Sequence, residues 1–506
     1  MNLEQYGMAD GQTPDSRPDQ ASHFAGSLLA WVLLVCLGWG GLLLSGPLPY
    51  QRQVLQWREG SATLRGELWL PGTKINSSGL SGPSVKGPRL PGVILVHGVM
   101  ASRDQPELAA RVLSRAGMAV LSFDLRGYGE SDAAPDTPEV HRQDVLSALA
   151  FLRAQPGIDP HRIALLGHSM GASAVSEAAA EDGHVRLALA MGMHGEGPVE
   201  WLTGLYDALH PPGAFRAVTV SPAADHHVEW QDAWMLNRVQ RRLETAFGLE
   251  QGPPAWPECL RSWSLFLLGL GMTGLLSRLL AQAHGYLRLA CATVPVLALL
   301  AAGGFDWLEP AACAGAMLIV LLAYVVSQLP PRLLRTALLL VAGLYLARTG
   351  ASLLRALPWI LPDPGRLLWF PLYLWQSLLY YPTSLLNLLR GLLFAHSHSR
   401  LEAAWPLGLI ALAEWLFPAW WLKIGAKLKL PHQRQRMTLV TLGLGLVALA
   451  ALLWIRLQQG YLAGDALQQT GAVLATDLLP SLGLFGLGIW IWKKRPRDDS
   501  NIRPTV

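Results

Sequence analysis

Hydrophobic positions along this chain follow two different patterns. From about residue 50 to residue 250 they come in short runs broken by polar, glycine- and proline-containing stretches. Residues 92–98, Gly-Val-Ile-Leu-Val-His-Gly, are apolar on both faces and predict a strand buried in a parallel sheet. Residues 118–124 and the run entering Gly167 read the same way, and helical periodicity fills 106–117 and 138–155 between them. Strand, helix, strand, helix, strand implies a parallel sheet with right-handed crossovers. A further strand is predicted at 185–193, another at 214–220, and a closing helix over 231–247.

The second pattern is long and nearly uncharged. Residues 24–44 contain no charged side chain and have the length of a bilayer-crossing helix. Comparable segments follow at 263–282, 286–303, 310–328, 335–357, 367–394, 402–422, 437–457 and 471–492. Pro371, Pro382 and several aromatics suit 367–394 to an interfacial or re-entrant path as well as to a crossing. The division expected is a polar tail at 1–23, a first span at 24–45 and a globular domain at 46–258. A multi-pass region of about seven or eight helices then covers 259–492, and a basic cytoplasmic tail covers 493–506. The first span reads as retained, because no basic cluster precedes it and no small-residue cleavage site follows.

Composition agrees with that division. The 506 residues are 51% hydrophobic and 15% charged, with a mean hydropathy of +0.28, which excludes an ordinary soluble chain. The net charge of +4 comes with no recognition motif, so the sequence makes no case for a nucleic-acid partner. Of four cysteines, Cys36, Cys291 and Cys313 fall in expected spans and Cys259 at the domain edge, so no disulfide framework is expected. Lysines and arginines crowd 423–436 and 493–497, which the positive-inside rule places in the cytoplasm. Counting back, the globular domain lies outside the cytoplasm if 367–394 does not cross and inside if it does. The expected location is therefore a cell membrane, with the side of the domain open.

Chemistry is concentrated at 163–171, Ile-Ala-Leu-Leu-Gly-His-Ser-Met-Gly. A strand running into Gly-x-Ser-x-Gly is the signature of a nucleophile elbow, in which the glycines flanking Ser169 relieve a very tight strand-to-helix turn. The turn exposes the serine hydroxyl and places the Met170 N–H at the start of a helix, facing a developing oxyanion. The loop after His97-Gly98 offers a second donor at Val99. His97-Gly98, Asp124-x-Arg126-Gly127-x-Gly129-x-Ser131 and Gly167-x-Ser169-x-Gly171 stand in the order found in the α/β-hydrolase family, which the chain resembles over about 55–248. The resemblance implies an α/β-hydrolase-like doubly wound parallel sheet, here joined to an all-α transmembrane bundle.

It also implies a serine nucleophile, Ser169, followed by an acid and then a histidine in the loop after the last strand. His226 occupies that place, with His227 one position off. Only 57 residues separate Ser169 from His226, leaving room for one strand, 185–193, before 214–220. Glu196, directly after that strand, is the candidate acid, with Glu200 and Asp207 as runners-up and Asp207 expected on a helix. So short an interval leaves little space for a lid, so the site is open or covered by the membrane region. His97, His168 and the Asp124–Ser131 loop read as architectural, and the spacing of His184, His194 and His210 gives no metal site and no cofactor. Arg348 and Arg390 are expected to reach a membrane interface. The expected activity is cleavage of an ester, thioester or related acyl bond in a small molecule or a lipid of the bilayer. A catalytically inactive interaction domain and a transporter regulated by the domain are the alternatives.

Overall fold

The computed structural model of the protein describes residues 18–45, 50–72, 89–99, 101–193, 197–212, 218–282 and 331–378. Helix α1 covers Pro18–Ser45. Strands β1 (Tyr50–Glu59) and β2 (Ala62–Pro71) form an antiparallel hairpin, and β3 (Leu90–Val96) follows. Then come α2 (Glu107–Arg115), β4 (Ala119–Asp124), α3 (Pro138–Arg153), β5 (Ile158–His168) and α4 (Met170–Glu181). Three short strands complete the sheet: β6 (Leu187–Met191), β7 (Glu200–Gly204) and β8 (Val218–Ser221). Helices α5 (Ala233–Phe247), α6 (Trp256–Gln282) and α7 (Pro331–Ile360) and a helical segment at 370–378 lie beyond it.

The eight strands form one sheet in the order β1-β2-β4-β3-β5-β6-β7-β8. From β4 to β8 all neighbours are parallel, while β2 pairs antiparallel with both β1 and β4. The sheet is therefore mixed, where the sequence predicted a parallel one. The β1–β2 hairpin makes its antiparallel edge. β3 and β5 read as continuous apolar runs because both of their faces are covered. Val93 and Leu95 face the side of α2 and α5, whereas Ile94 and Val96 face α3 and α4. Leu149 of α3 is fully buried in the second of these cores, so Leu149→Ala is expected to lower stability by about 3 kcal/mol. Chemical denaturation of the purified protein reads this as an earlier unfolding midpoint.

The sequence predicted one strand between the elbow and the last strand; the structure has two, β6 and β7. Between them lies only 192–199, too short for a crossover helix. The short interval thus holds two strands with no room for a helix between them. Five-residue Glu-Trp-Leu-Thr-Gly is too short to show a period, so the sequence pattern does not mark β7.

The expected domain edge at 258 falls inside α6, whose first turn belongs to the core of the sheet domain. Ala255 and Cys259 are fully buried in the cluster built by α2 and α5. Glu258 lies among Arg111, Arg115 and Arg261. Further along, α6 packs on α1 through small residues. A side chain at Gly38 would meet the backbone of Leu268, and one at Gly271 would meet Val35. Leu43 and Leu44 on the outer face of α1 are about 80% exposed. Among the described residues, α1 holds the one helix stretch long and apolar enough to cross a membrane, Leu28–Ser45. The expected spans at 286–303, 310–328, 402–422, 437–457 and 471–492 lie outside the described residues, as does most of 367–394.

Candidate active site

Ser169 sits between β5 and α4 with φ 54° and ψ −122°, the one non-glycine residue at positive φ among the described residues. An L-residue there is strained, and the surroundings hold it in place. The Ser169 N–H donates to the Met191 carbonyl at 2.9 Å. A side chain at Gly167 would strike the Gly171–Ala172 backbone, and one at Gly171 the carbonyls of Val96 and His97. Both glycines are thus required by close backbone approach.

The hydroxyl meets two other groups in line. Ser169 Oγ lies 3.2 Å from His226 Nε2, and His226 Nδ1 lies 3.0 Å from Asp207 Oδ2. With Nδ1–H donating to the carboxylate, Nε2 presents its lone pair to the hydroxyl. Ser169 and His226 are only 7% and 9% exposed, so the hydrogen bonds operate largely away from water. β5, β7 and β8 are parallel, and each residue follows the carboxyl end of one of them, the edge where open α/β sheets hold their ligands.

The partner of His226 is Asp207, a runner-up in the sequence, in the turn after β7 rather than on a helix. Glu196, the first candidate, lies outside the described residues. Glu200 begins β7 at the far end from the site and pairs with Arg242. Asp207 Oδ1 accepts from the N–H groups of Leu209 and His210, each at 2.8 Å. Burial alone would raise its pKa, yet the facing His226 and these N–H donors hold the carboxyl well below the usual carboxylate range. It is therefore fixed as an anion. His227 is turned to a different task, its N–H donating to Asp225 at 3.0 Å.

Of the two expected oxyanion donors, Met170 directly follows Ser169. Met170 opens α4, where N–H groups have no intrahelical partner. Gly98, which precedes Val99, passes so close that a side chain there would lie 3.3 Å from Ser169 Cβ. Behind that loop His97 is fully buried, its Nδ1–H donating to the Gly98 carbonyl at 2.8 Å and its Nε2 accepting from Leu125 N–H at 3.1 Å. Burial lowers its pKa from 6.5 to about 4, so the ring stays neutral and ties β3 to β4. A folded pKa depressed in this way gives stability that is complete above about pH 6.5 and lost as the pH falls through 4. The contribution is about 3 kcal/mol. Unfolding midpoints recorded from pH 7 to pH 4 are expected to fall more steeply for the wild type than for His97→Gln.

The Asp124–Ser131 loop is architectural, as its sequence suggested. Buried Arg103 binds Asp124 at 2.5 Å, Glu130 at 2.6 Å and Glu67 at 3.3 Å. Arg126 binds Asp144 at 2.5 Å.

His168 pairs with Glu229, a partner that no sequence pattern marks. His168 Nε2 lies 3.0 Å from the His226 carbonyl and 3.2 Å from Glu229 Oε2, while Glu229 Oε1 accepts from Gly204 N–H at 2.6 Å. Burial pushes Glu229 well above the usual carboxylate range and His168 well below the usual histidine range, so the two face each other uncharged. They brace the backbone of His226. Together with His226 they form the one His/Glu group of metal-ligating type found among the described residues. The ring nitrogens of His226 already face Ser169 and Asp207, so a metal there would dismantle that line.

A sheet in this order with a strained serine after β5, an acid after β7 and a histidine after β8 has the arrangement of the α/β-hydrolase fold. Residues 91–212 match the family model for the alpha/beta hydrolase fold. Over 105 residues the chain is 39% identical to "Thiohydrolase aneE" of Aspergillus aculeatus, covering 20% of this chain and 33% of that protein. Over 112 residues it is 34% identical to an uncharacterized 31.7 kDa protein of Escherichia coli, covering 22% of this chain and 39% of that one. The chain thus spans roughly a third of the length of these curated relatives. Among solved structures, a cold-adapted esterase from an Arctic intertidal metagenomic library is similar at 20% identity. That similarity covers 39% of this chain and 96% of the esterase, with a TM-score of 0.30.

Proposed function

We propose that the chain is a membrane-anchored serine hydrolase that cleaves an ester, thioester or related acyl bond. The observation that carries this reading is the line from Ser169 Oγ through His226 to Asp207, built on an elbow whose backbone strain serves to present the hydroxyl. Ser169 Oγ attacks the acyl carbonyl while His226 Nε2 takes its proton. Asp207 stabilises the imidazolium through Nδ1–H, and the N–H groups of Val99 and Met170 receive the oxyanion. His226 returns the proton to the leaving oxygen or sulfur. Water, activated by the same nitrogen, then releases the acid and restores the serine.

The match to a protein named a thiohydrolase supports acyl chemistry and makes thioesters the first substrates to try. The exposed apolar face of α1 and the long apolar runs beyond 282 support anchorage in a cell membrane by many helices. An acyl substrate delivered from the bilayer fits that placement. The test is labelling of the full-length protein in detergent by a fluorophosphonate, alongside turnover of short-chain oxygen esters and thioesters. Labelling at Ser169 together with turnover of either class is expected. Absence of both would leave an inactive domain.

A further inference from the structure

The loop that carries His226 is held by residues more than a hundred positions further along the chain. Asp225, immediately before the histidine, divides its two oxygens. Oδ1 accepts from His227 N–H at 3.0 Å and closes the local turn. Oδ2 takes Arg348 Nη2 of α7 at 2.6 Å and the Tyr373 hydroxyl of segment 370–378 at 3.1 Å. Arg348 Nη1 reaches on to Ser377 Oγ at 2.8 Å, joining the two helical pieces around the same carboxylate. Gln376 grips both ends of the loop. Its Nε2 donates to the Ala223 carbonyl and to Asp232 Oδ1, each at 2.9 Å, and its Oε1 accepts from Ala233 N–H at 3.2 Å.

All of these groups are buried: Asp225, Arg348, Tyr373 and Gln376 are each under a tenth exposed. Apolar contact seals the joint. Tyr373 stacks on Tyr206, the neighbour of Asp207, with ring centroids 4.0 Å apart. Ala356 and Ile360 of α7 pack against Leu205 and Ala223. Arg348, expected in the sequence to reach a membrane interface, is turned against the hydrolase domain instead.

We propose that α7 and segment 370–378 form a clamp that sets the position of His226, with Arg348 as its charged positioning residue. Hydrolysis is thereby coupled to the placement of the C-terminal helices. The proposal rests on the hydrolase reading above. A buried guanidinium and carboxylate are costly to separate, because removing either leaves the other without compensation. The loop then relaxes about Asp225. A ring displacement of an ångström at a proton-transferring group is enough to slow the reaction about 100-fold.

The experiment uses full-length protein in detergent, with active sites counted by fluorophosphonate titration so that turnover is expressed per competent site. Arg348→Gln is expected to lower kcat per titrated site about 10- to 100-fold with KM changed less than about 2-fold. Arg348→Lys keeps the charge and is expected to recover at least about a third of the wild-type value. Adding Asp225→Asn to Arg348→Gln is expected to cost nothing further, the sign of one shared interaction. Tyr373→Phe removes a single hydroxyl. It is expected to lower per-site turnover about 3-fold, which keeps the test open if Arg348→Gln does not fold. Unchanged per-site kcat in Arg348→Gln or, should that variant not fold, in Tyr373→Phe, with only a lower unfolding temperature, would reduce the contact to a structural one and overturn the proposal. A wild type that neither labels nor turns over would overturn the hydrolase reading and the clamp with it.

Discussion

Ser169→Ala is expected to abolish fluorophosphonate labelling and to lower kcat on a short-chain ester by roughly 10⁴- to 10⁶-fold, leaving the fold intact. The size follows from what the residue supplies. Without the hydroxyl, no acyl-enzyme forms, and only the oxyanion donors and substrate positioning remain. The same change is expected to raise the unfolding temperature slightly or leave it unchanged. The hydroxyl is held at positive φ for presentation and contributes little to packing, and alanine meets the same strain with a smaller side chain. Intact-protein mass spectrometry after probe treatment and steady-state turnover read the two quantities separately. Equal labelling of wild type and Ser169→Ala would move the nucleophile elsewhere.

Asp207→Asn is expected to lower kcat roughly 10³- to 10⁴-fold with little change in KM. Asparagine preserves the shape, and its carbonyl can still receive the N–H groups of Leu209 and His210. It cannot stabilise the imidazolium, and its NH₂ favours the tautomer that carries the proton on Nε2. That tautomer points a hydrogen at Ser169 where a lone pair is required. Glu196→Gln is expected to remain within about 3-fold of wild type. Measuring kcat for the two variants side by side tests the assignment of the acid. A large loss in Glu196→Gln with full activity in Asp207→Asn would reverse it.

The elbow was legible because its chemistry is local: Gly167, Ser169 and Gly171 are constrained by one turn, and the strand that feeds it is apolar throughout. His226 was legible through the resemblance, which implies a histidine in the loop after the last strand. Asp207 was not. It lies only 19 residues from His226 in sequence, among several acids, and is singled out by the parallel pairing of β7 with β6 and β8. β7 itself has too few residues to show a period. Likewise His168 and Glu229 are ordinary residues until the sheet stacks them behind His226, 58 positions from His168 along the chain.

The sequence by itself determined the α/β class, the Gly-x-Ser-x-Gly elbow and the division between a short-run domain and long apolar segments. Those properties depend on nearest neighbours: turn sterics, the period of side chains and the length of an uncharged run. Only the tertiary structure decided which carboxylate faces His226, the antiparallel edge of the sheet and the partners of Arg348. Each of these is a meeting between distant segments. A carboxylate or guanidinium acquires its role from the single burial environment in which the fold leaves it, and no local pattern encodes that environment.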